Sequence, residues 1–568
     1  MVQFGTIELH GGKIVISLPQ PNAEPQIVPI TSTKFMPGDK VGMSKSGDVV
    51  LVERKEQPAI AIIRSIEHKV AQFYIANLGP SCPFAPEFKV GDLPLKIGDR
   101  LVIWLKANGE IFSKGVYSSD PLDDVPCLLK MYSLFIKPSP NPEYIYNKPL
   151  YTIDSVINHD RLNTFTIDPS SSVDFDDAIS VDVDKNTVYI HIVDIAATET
   201  QKQLTNTRLS DLCLSLYLSN EHTEHLLDTE LASDTLSLVK DEQRRVITVK
   251  VELNEYGLVE AYDIYRSTIV VKNRYCYEQV AQMLKTNNST KELDYLVQLS
   301  NRRSEDVKYH LNLPSVRFHI NKATGHLDNL FVESTNDPAH NLVATAMVLA
   351  NLVVSKHLNH CQLKLPNRFH DSLRGLAYQN FVSTNNELVD SFILVKRYAR
   401  AHYSVDKKGH FGLGLTDYVH FTSPMRRYAD VLVHRLLAGH NLNDQTLQDE
   451  VDWLNHRSTL VRSIQDLYTN WKVVRHVQSL HNQDANHRFD IWITDVKKGG
   501  VLWFMPSLSL NGFAHVSTLV PNQFWYFDYV KNTLQGSTLI SVGNHYQASV
   551  NSIDPVTNVL NLAIYIAP

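Results

Sequence analysis

The chain has 568 residues, of which 43% are hydrophobic and 20% charged, and a net charge of −7. That length exceeds one ordinary core and predicts three or four domains, and the charge excludes a protein that coats nucleic acid by bulk attraction alone, although a sum says nothing about a local basic channel. There is no run of 18 or more apolar residues to predict a transmembrane helix, the N-terminus has neither signal- nor transit-peptide build, and the five scattered cysteines contain no C-x-x-C pair; a reducing, cytoplasmic setting without disulfides or zinc is expected.

Three stretches share a design: a Gly-Asp or Gly-Asn turn followed by alternating apolar residues. They are MPGDKVGM (Met36 to Met43), KIGDRLVIWL (Lys96 to Leu105) and SVGNHYQASVNSID (Ser541 to Asp554). The period of two predicts strands, and many short strands with turn signals suggest small β-barrels. Such turns also occur in any β protein, so the pattern alone leaves the architecture open. The proline-rich IKPSPNPEYIYNKP (Ile136 to Pro149) reads as an extended connector.

Next comes TIDPSSSVDFDDAIS, Thr166 to Ser180, with Asp168, Asp174, Asp176 and Asp177. On a regular strand Asp174 and Asp176 would share a face and Asp177 would point away, so convergence requires a loop or bend. Two converged carboxylates ~4 Å apart repel by ~4 kcal/mol at an effective dielectric of about 20. Hard divalent cations relieve that repulsion, and Mg²⁺ suits a few carboxylates plus a substrate phosphate. Two such ions can bind the attacking and leaving oxygens of a phosphodiester. The alternatives are a solvated acidic turn or a calcium loop. The apolar flanks Ile167, Phe175, Ala178 and Ile179 disfavour an exposed turn; Val173 and Ile179 stand where a calcium loop starting at Asp168 needs Gly and Glu.

From about Leu150 to Gln483 the pattern is mixed. TVYIHIVDI (Thr187 to Ile195) and RRVITVKVEL (Arg244 to Leu253) predict strands. DPAHNLVATAMVLANLVVSKHL (Asp337 to Leu358) predicts a buried central helix, with Asp337 as cap and Pro338 in its first turn. FTSPMRRYADVLVHRLL (Phe421 to Leu437) predicts a helix capped by Ser423 and opened by Pro424, with a buried stripe of Met425, Tyr428, Ala429, Leu432 and Leu436. Arg426 and Arg427 would then occupy the first turn, where the macrodipole favours negative charge. An anion there would explain them, with free N–H groups and a guanidinium fork forming a phosphate site; a surface pair bridging to Asp430 would explain them equally. From about Arg488 strands return, rich in aromatics.

Together, TIDPSSSVDFDDA and FTSPMRRYADVLVHRLL resemble the metal-binding and arginine-bearing segments of the ribonuclease II/R (RNB) family of 3′-to-5′ exoribonucleases. VYIHIVDIA (Val188 to Ala196) looks like the strand that follows the first motif, and GGVLWFMPSLSLNGFAHVSTL (Gly499 to Leu519) is similar to the family's last barrel. The resemblance implies a multidomain α+β chain. Its parts are two N-terminal cold-shock-like OB β-barrels (1–68 and 69–130), a linker (131–150), a central mixed α/β RNB catalytic domain (151–485) and a C-terminal S1-type OB β-barrel (486–568). It further implies that Asp168, Asp174, Asp176 and Asp177 bind Mg²⁺, or Mn²⁺, with Asp176 the most sensitive carboxylate, and that Arg426 grips the scissile or a neighbouring phosphate. Tyr217 and Tyr277 match tyrosines that contact terminal nucleotides. Core packing is the alternative for both.

Arg427, Trp492 and Trp503 are further RNA-binding candidates, as are the aromatics Phe489, Phe513 and Trp525. The expected partner is single-stranded RNA, cut processively to nucleoside 5′-monophosphates by a monomer that touches no membrane. The end at Pro568, without a lysine-rich tail, resembles the ribonuclease II style, which handles single strands. There are departures. Ala344, Thr345 and Gln465 stand where family members often carry acidic residues; the aromatic clamp opposite the tyrosine is indistinct, with Tyr309 or His310 as substitutes; and the first barrel offers only Phe4 as an aromatic. The rival reading is an RNA-binding regulator on an inactive catalytic fold, which would be expected to lose metal-binding aspartates. A phosphodiesterase for small nucleotides sits poorly with three RNA-type barrels.

Overall fold

The computed structural model describes the chain apart from residues 1–2, 11–12, 21–22, 33, 45, 80–81, 91–92, 136–143, 147–148, 151, 160–161, 197–208, 220–221, 305–311, 313, 335–336, 372–382, 520–522, 555 and 567–568. Tyr309, His310 and most of the proline-rich connector lie outside the described residues. The chain divides into two compact units, one made of 1–136, 316–331 and 460–568 and the other of 137–315 and 332–459.

The first unit holds three five-stranded sheets with one topology. Numbering strands within each sheet, the neighbour order is 3-2-1-4-5 in all of them, the OB-type Greek key. The three repeated stretches are the reason. Gly38, Gly98 and Gly543 take φ of 92°, 90° and 89°, a region open to glycine without strain. In each, the glycine N–H and the next residue's carbonyl bond to one residue of the first strand: Ile7, Ile63 or Ile493. The side chain of Asp39, Asp99 or Asn544 accepts an N–H three residues back, from Met36, Lys96 or Ser541. One turn, used three times, thus latches the fourth strand to the first.

The first two sheets meet earlier than the sequence predicts. The strand Gln57–Glu67 pairs with Val70–Ile75 and Arg100–Leu105, so it opens the second barrel and the first ends near Glu53. The boundary at residue 68 is therefore corrected to the mid-fifties. The Gly-Asp latch explains it, since Ile63 is the second barrel's anchor residue.

Trp503 needs a second correction. It is 1% exposed, in the core of the C-terminal barrel beside Ile491, Ile493 and Met505. Its indole lies over Gly512, where a Cβ would meet ring carbon at 2.4 Å. Glycine makes the room that turns this tryptophan inward, so it offers RNA no surface. Phe489 is buried as well. Trp492 is half-buried, its ring tilted on His545 at 4.8 Å. Among the described residues, the open aromatics of this barrel are Phe513, Phe524, Tyr526, Tyr529 and Tyr565.

Within the same unit, Asp124 on the helix Asp124–Leu134 is 0% exposed and meets three cations: Arg100, Lys472 at 2.8 Å and Arg475 at 2.5 Å. Lys472 also donates to the carbonyls of Pro121 and Gly325.

The second unit is built on a seven-stranded mixed sheet. In order across it run Thr152–Asn158, Val259–Val270, Gln243–Leu253, Thr187–Val193, Asp177–Asp182, Phe165–Asp168 and Asn273–Cys276. Alternation divides its side chains between two cores. Ile179, Ile190, Ile192, Ile247 and Val249 pack on Leu342, Ala346, Leu349 and Val353 of the helix Pro338–His360. Ala178, Val193 and Val246 share the other core with Tyr428, Ala429 and Leu432. The helix Pro338–His360 is capped by Asp337, as predicted, through the N–H groups of Ala339 and His340. Length and composition would let it cross a bilayer, but 61% of its most apolar window is buried inside the protein.

Candidate active site

Phe165–Asp168 and Asp177–Asp182 are antiparallel neighbours, with Phe165 opposite Ile179. Asp168 ends one strand and Asp177 begins the other, so both carboxylates fall at the same end of the sheet. Asp174 and Asp176 lie in the connecting loop, which supplies the bend their convergence requires. Buried Ser237 fixes this loop, accepting the Phe175 N–H at 3.0 Å and donating to the Val173 carbonyl at 2.9 Å. Ser237→Ala would strand both backbone groups. It is expected to cost ~1–3 kcal/mol, read as a lower urea midpoint; an unchanged midpoint would show that the loop does not depend on Ser237.

The arginine segment is built differently from the sequence expectation. The helix runs Tyr428–Leu437, and Arg427 is its N-cap, extended at φ −136° and ψ 122°. Ser423 accepts the Arg426 and Arg427 N–H groups through its carbonyl, forming a turn before the helix. The start is displaced because the segment pairs with a distant stretch: Ser215 N–H donates to the Arg426 carbonyl and Tyr428 N–H to the Cys213 carbonyl. Both arginines therefore precede the helix. The stripe from Met425 to Leu436 is buried as predicted.

This displaced turn meets the aspartate loop. The Met425 N–H donates to Asp176 Oδ1 at 2.8 Å, and Arg426 Nε stands 3.5 Å from Asp176 Oδ2. The Arg426 side chain is 48% exposed and donates through Nη2 to Ser423 Oγ. Arg427 turns inward and donates to buried Asp430 at 2.8 Å, so its guanidinium is committed within the fold. Of the two, Arg426 is the one presented to a ligand.

Charge accumulates faster than the protein neutralises it. Burial pushes the Asp176 carboxyl up to about 7, against the pull of Arg426 and the Met425 N–H, with Asp177 and Asp174 adding repulsion. Asp168 is also pushed up, by burial first and then by Asp177, Asp176 and Asp174, with Arg274 opposing. Asp177 rises through burial despite Arg426 and Arg427. Among the described residues, Asp168 Oδ2 is buried with no hydrogen-bond partner.

Aromatics flank the acids. Tyr217, on the strand Leu216–Ser219, donates to Asp174 at 3.4 Å, and its ring meets His225 edge-on. Tyr277 directly follows Cys276, the cross-strand partner of Asp168, and is stacked on His340. Sequence reading missed three contributors. His225 lies 4.0 Å from Asp174, and Arg274 covers the Phe175 ring while bonding the Ser170 and Ser172 carbonyls. His340 is the third. The available signal was proximity in sequence: Arg274 stands three residues before Tyr277, and His340 three after the Asp337 cap. Thr345 is spent on Ser300, and Ala344 is exposed.

The donors are all carboxylate oxygens, the chemistry of hard cations, and one oxygen is buried and unsatisfied. Among the described residues, no group of three or more His, Cys, Asp or Glu side chains is arranged to hold a metal ion. Mg²⁺ is commonly bound through one or two carboxylates, waters and substrate phosphates rather than an all-protein cage, so the set suits that ion in type.

The family described as RNB domain matches residues 157–442, just over half of the chain. Ribonuclease R of Chlamydia pneumoniae is 27% identical in a 466-position alignment that covers 73% of this chain and 68% of that protein. The structure of Mycoplasma genitalium RNase R in complex with ribose methylated single-stranded RNA superposes with a TM-score of 0.77 at 18% identity, covering 99% of this chain and 100% of that one. Yeast Ssd1, described as a pseudonuclease, superposes with a TM-score of 0.69 at 15% identity, covering 94% and 81%.

Proposed function

Because the chain belongs to the RNB domain family, we propose that it is a metal-dependent 3′-to-5′ exoribonuclease that hydrolyses single-stranded RNA processively to nucleoside 5′-monophosphates. The observation that carries this reading is the junction at Asp176, where an exposed arginine and the most buried carboxylate of the cluster meet across 250 positions, from 176 to 426. Asp168, Asp174, Asp176 and Asp177 would hold one or two Mg²⁺ or Mn²⁺ ions, which when bound neutralise charge at the scissile phosphate and orient it. Arg426 reaches the same phosphate from the protein side and stabilises the charge that develops on its oxygens. The Met425 N–H holds Asp176 in place, and Tyr217 does the same for Asp174. The tyrosine faces suit bases of any sequence, since every base has a π-face. The open aromatics of the C-terminal barrel, with half-buried Trp492, would add grip on the strand.

The alternative is an RNA-binding regulator with little or no turnover. The likeness to Ssd1 supports it, as do the non-acidic Ala344, Thr345 and Gln465. Retention of all four aspartates and Arg426 favours the enzyme.

With Mg²⁺, 5′-labelled single-stranded RNA is expected to shorten in a ladder from its 3′ end and release mononucleotides. A circularised RNA of the same sequence should stay intact, and chelation should stop the reaction. Binding without shortening in Mg²⁺ or Mn²⁺ would give the regulator reading its place.

A further inference from the structure

Tyr277 opens the helix Tyr277–Lys285, one residue beyond the partner of Asp168. Its ring and the His340 imidazole are 3.8 Å apart between centroids and within 5° of parallel. Aromatic pairs usually settle offset or edge-on, because directly opposed faces align like quadrupoles. A face-to-face pair therefore calls for a restraint, and His340 has one. Its Nδ1 pairs with Asp337 Oδ2, while its backbone N–H is capped at 3.2 Å by Oδ1 of the same aspartate. One residue thus fixes both the helix start and the plane of the imidazole. Tyr277 itself is half-buried, and burial together with the charges of Asp177 and Asp168 pushes its hydroxyl up, which keeps the phenol neutral.

We infer that His340, fixed by Asp337, is a positioning residue: Tyr277 packs in part on the core beneath the sheet, and His340, by covering one ring face, sets the plane in which the exposed part of the ring meets the 3′-terminal base beside Asp168 and Asp177. This rests on the nuclease reading of the site. A ring whose plane is fixed by its neighbour offers a base one orientation, so the terminal nucleotide has a single pose.

The test uses the full-length Asp176→Asn chain and single-stranded RNA ending in 2-aminopurine, whose fluorescence is quenched by stacking. Binding is expected to quench the parent. His340→Ala should lose most of the quench and bind roughly ten-fold more weakly, the scale of one lost base stack. His340→Phe, which returns a flat ring, should recover much of both. Asp337→Ser, which keeps a helix cap but removes the imidazole's partner, should fall between. Melting temperatures are recorded throughout. Unchanged quench in His340→Ala, even with a lowered melting temperature, overturns the inference, as does a loss that His340→Phe fails to restore at equal stability. A parent that binds this RNA with no quench overturns the inference, whereas absence of 3′-end shortening by the wild type overturns the nuclease reading on which it rests.

Discussion

Asp176→Asn is expected to lower single-turnover cleavage by ~10³-fold, on the scale set by removing one group aimed at developing charge, while raising thermal stability. The two effects have one cause. Asp176 is buried, and its carboxyl is pushed up to about 7 from an ordinary value near ~4. For such a group the folded state holds the proton more tightly than the unfolded chain. Its contribution to stability is present below the unfolded value and is lost as pH rises through about 7. Asparagine has nearly the same shape, and its Oδ1 can still accept the Met425 N–H. It simply never has to be ionised in a buried place. The variant should therefore melt higher than the wild type at pH 8, with the gap shrinking steadily as pH falls toward the unfolded value of ~4. Mg²⁺ should narrow the gap at pH 8, because a ligand bound only by the folded wild type stabilises it by mass action. If the variant melts lower at pH 8, the carboxylate is satisfied within the fold and the charge argument fails. Arg426→Ala should cost ~10²–10³-fold in cleavage, and the double variant should show less than the product of the two losses, since they act on one phosphate.

The second large effect concerns stability alone. Asp124→Ala is expected to destabilise the unit that contains the barrels by ~3–5 kcal/mol, because it leaves buried positive charge without a partner. Burial works against this carboxylate, but Arg475, Lys472 and Arg100 outweigh it and hold the carboxyl below its usual range. Here the sign is opposite to that at Asp176. The stabilisation is present above the unfolded value near ~4 and is lost as pH falls through the lower folded one. Denaturant melts at pH 7 and pH 3 should therefore differ for wild type and much less for the variant. Replacing Asp124, Arg100 and Lys472 together with apolar residues should recover most of the loss, as buried ion groups often exchange for packed apolar ones at little net cost. A single-site variant with an unchanged midpoint would show that water reaches the cluster.

What could be read from sequence was local. The three Gly-Asp or Gly-Asn turns were visible as repeats because each acts within a few residues: the φ of Gly38 and the bond from Met36 to Asp39 need no distant partner. The acidic loop was visible for the same reason, since charge without counter-charge is a property of the segment. Features set by pairing were not. The helix start at Tyr428 is displaced by bonds to Cys213 and Ser215, more than 200 residues away, and no rule of capping contains them. Trp503 and Trp492 read alike as aromatics in β-type runs, and only the glycine across the ladder at 512 turns the first one inward. The stack of His340 on Tyr277 joins the starts of two helices, at residues that the sequence separates by 63 positions.

Asp124 also sets a timetable. The aspartate and Arg100 belong to the first quarter of the chain, while Lys472 and Arg475 come after more than four-fifths of it has been made. Synthesis runs from the N-terminus at ~5–20 residues per second, so the early partners wait on the order of twenty seconds to a minute for the late ones. Through that interval the nascent chain carries one aspartate for one arginine, and the second and third cations arrive only with residues 472 and 475. The unit is thus a lock whose last pins are delivered more than 300 residues after the first, and a chain truncated before residue 472 would leave the ribosome with it open.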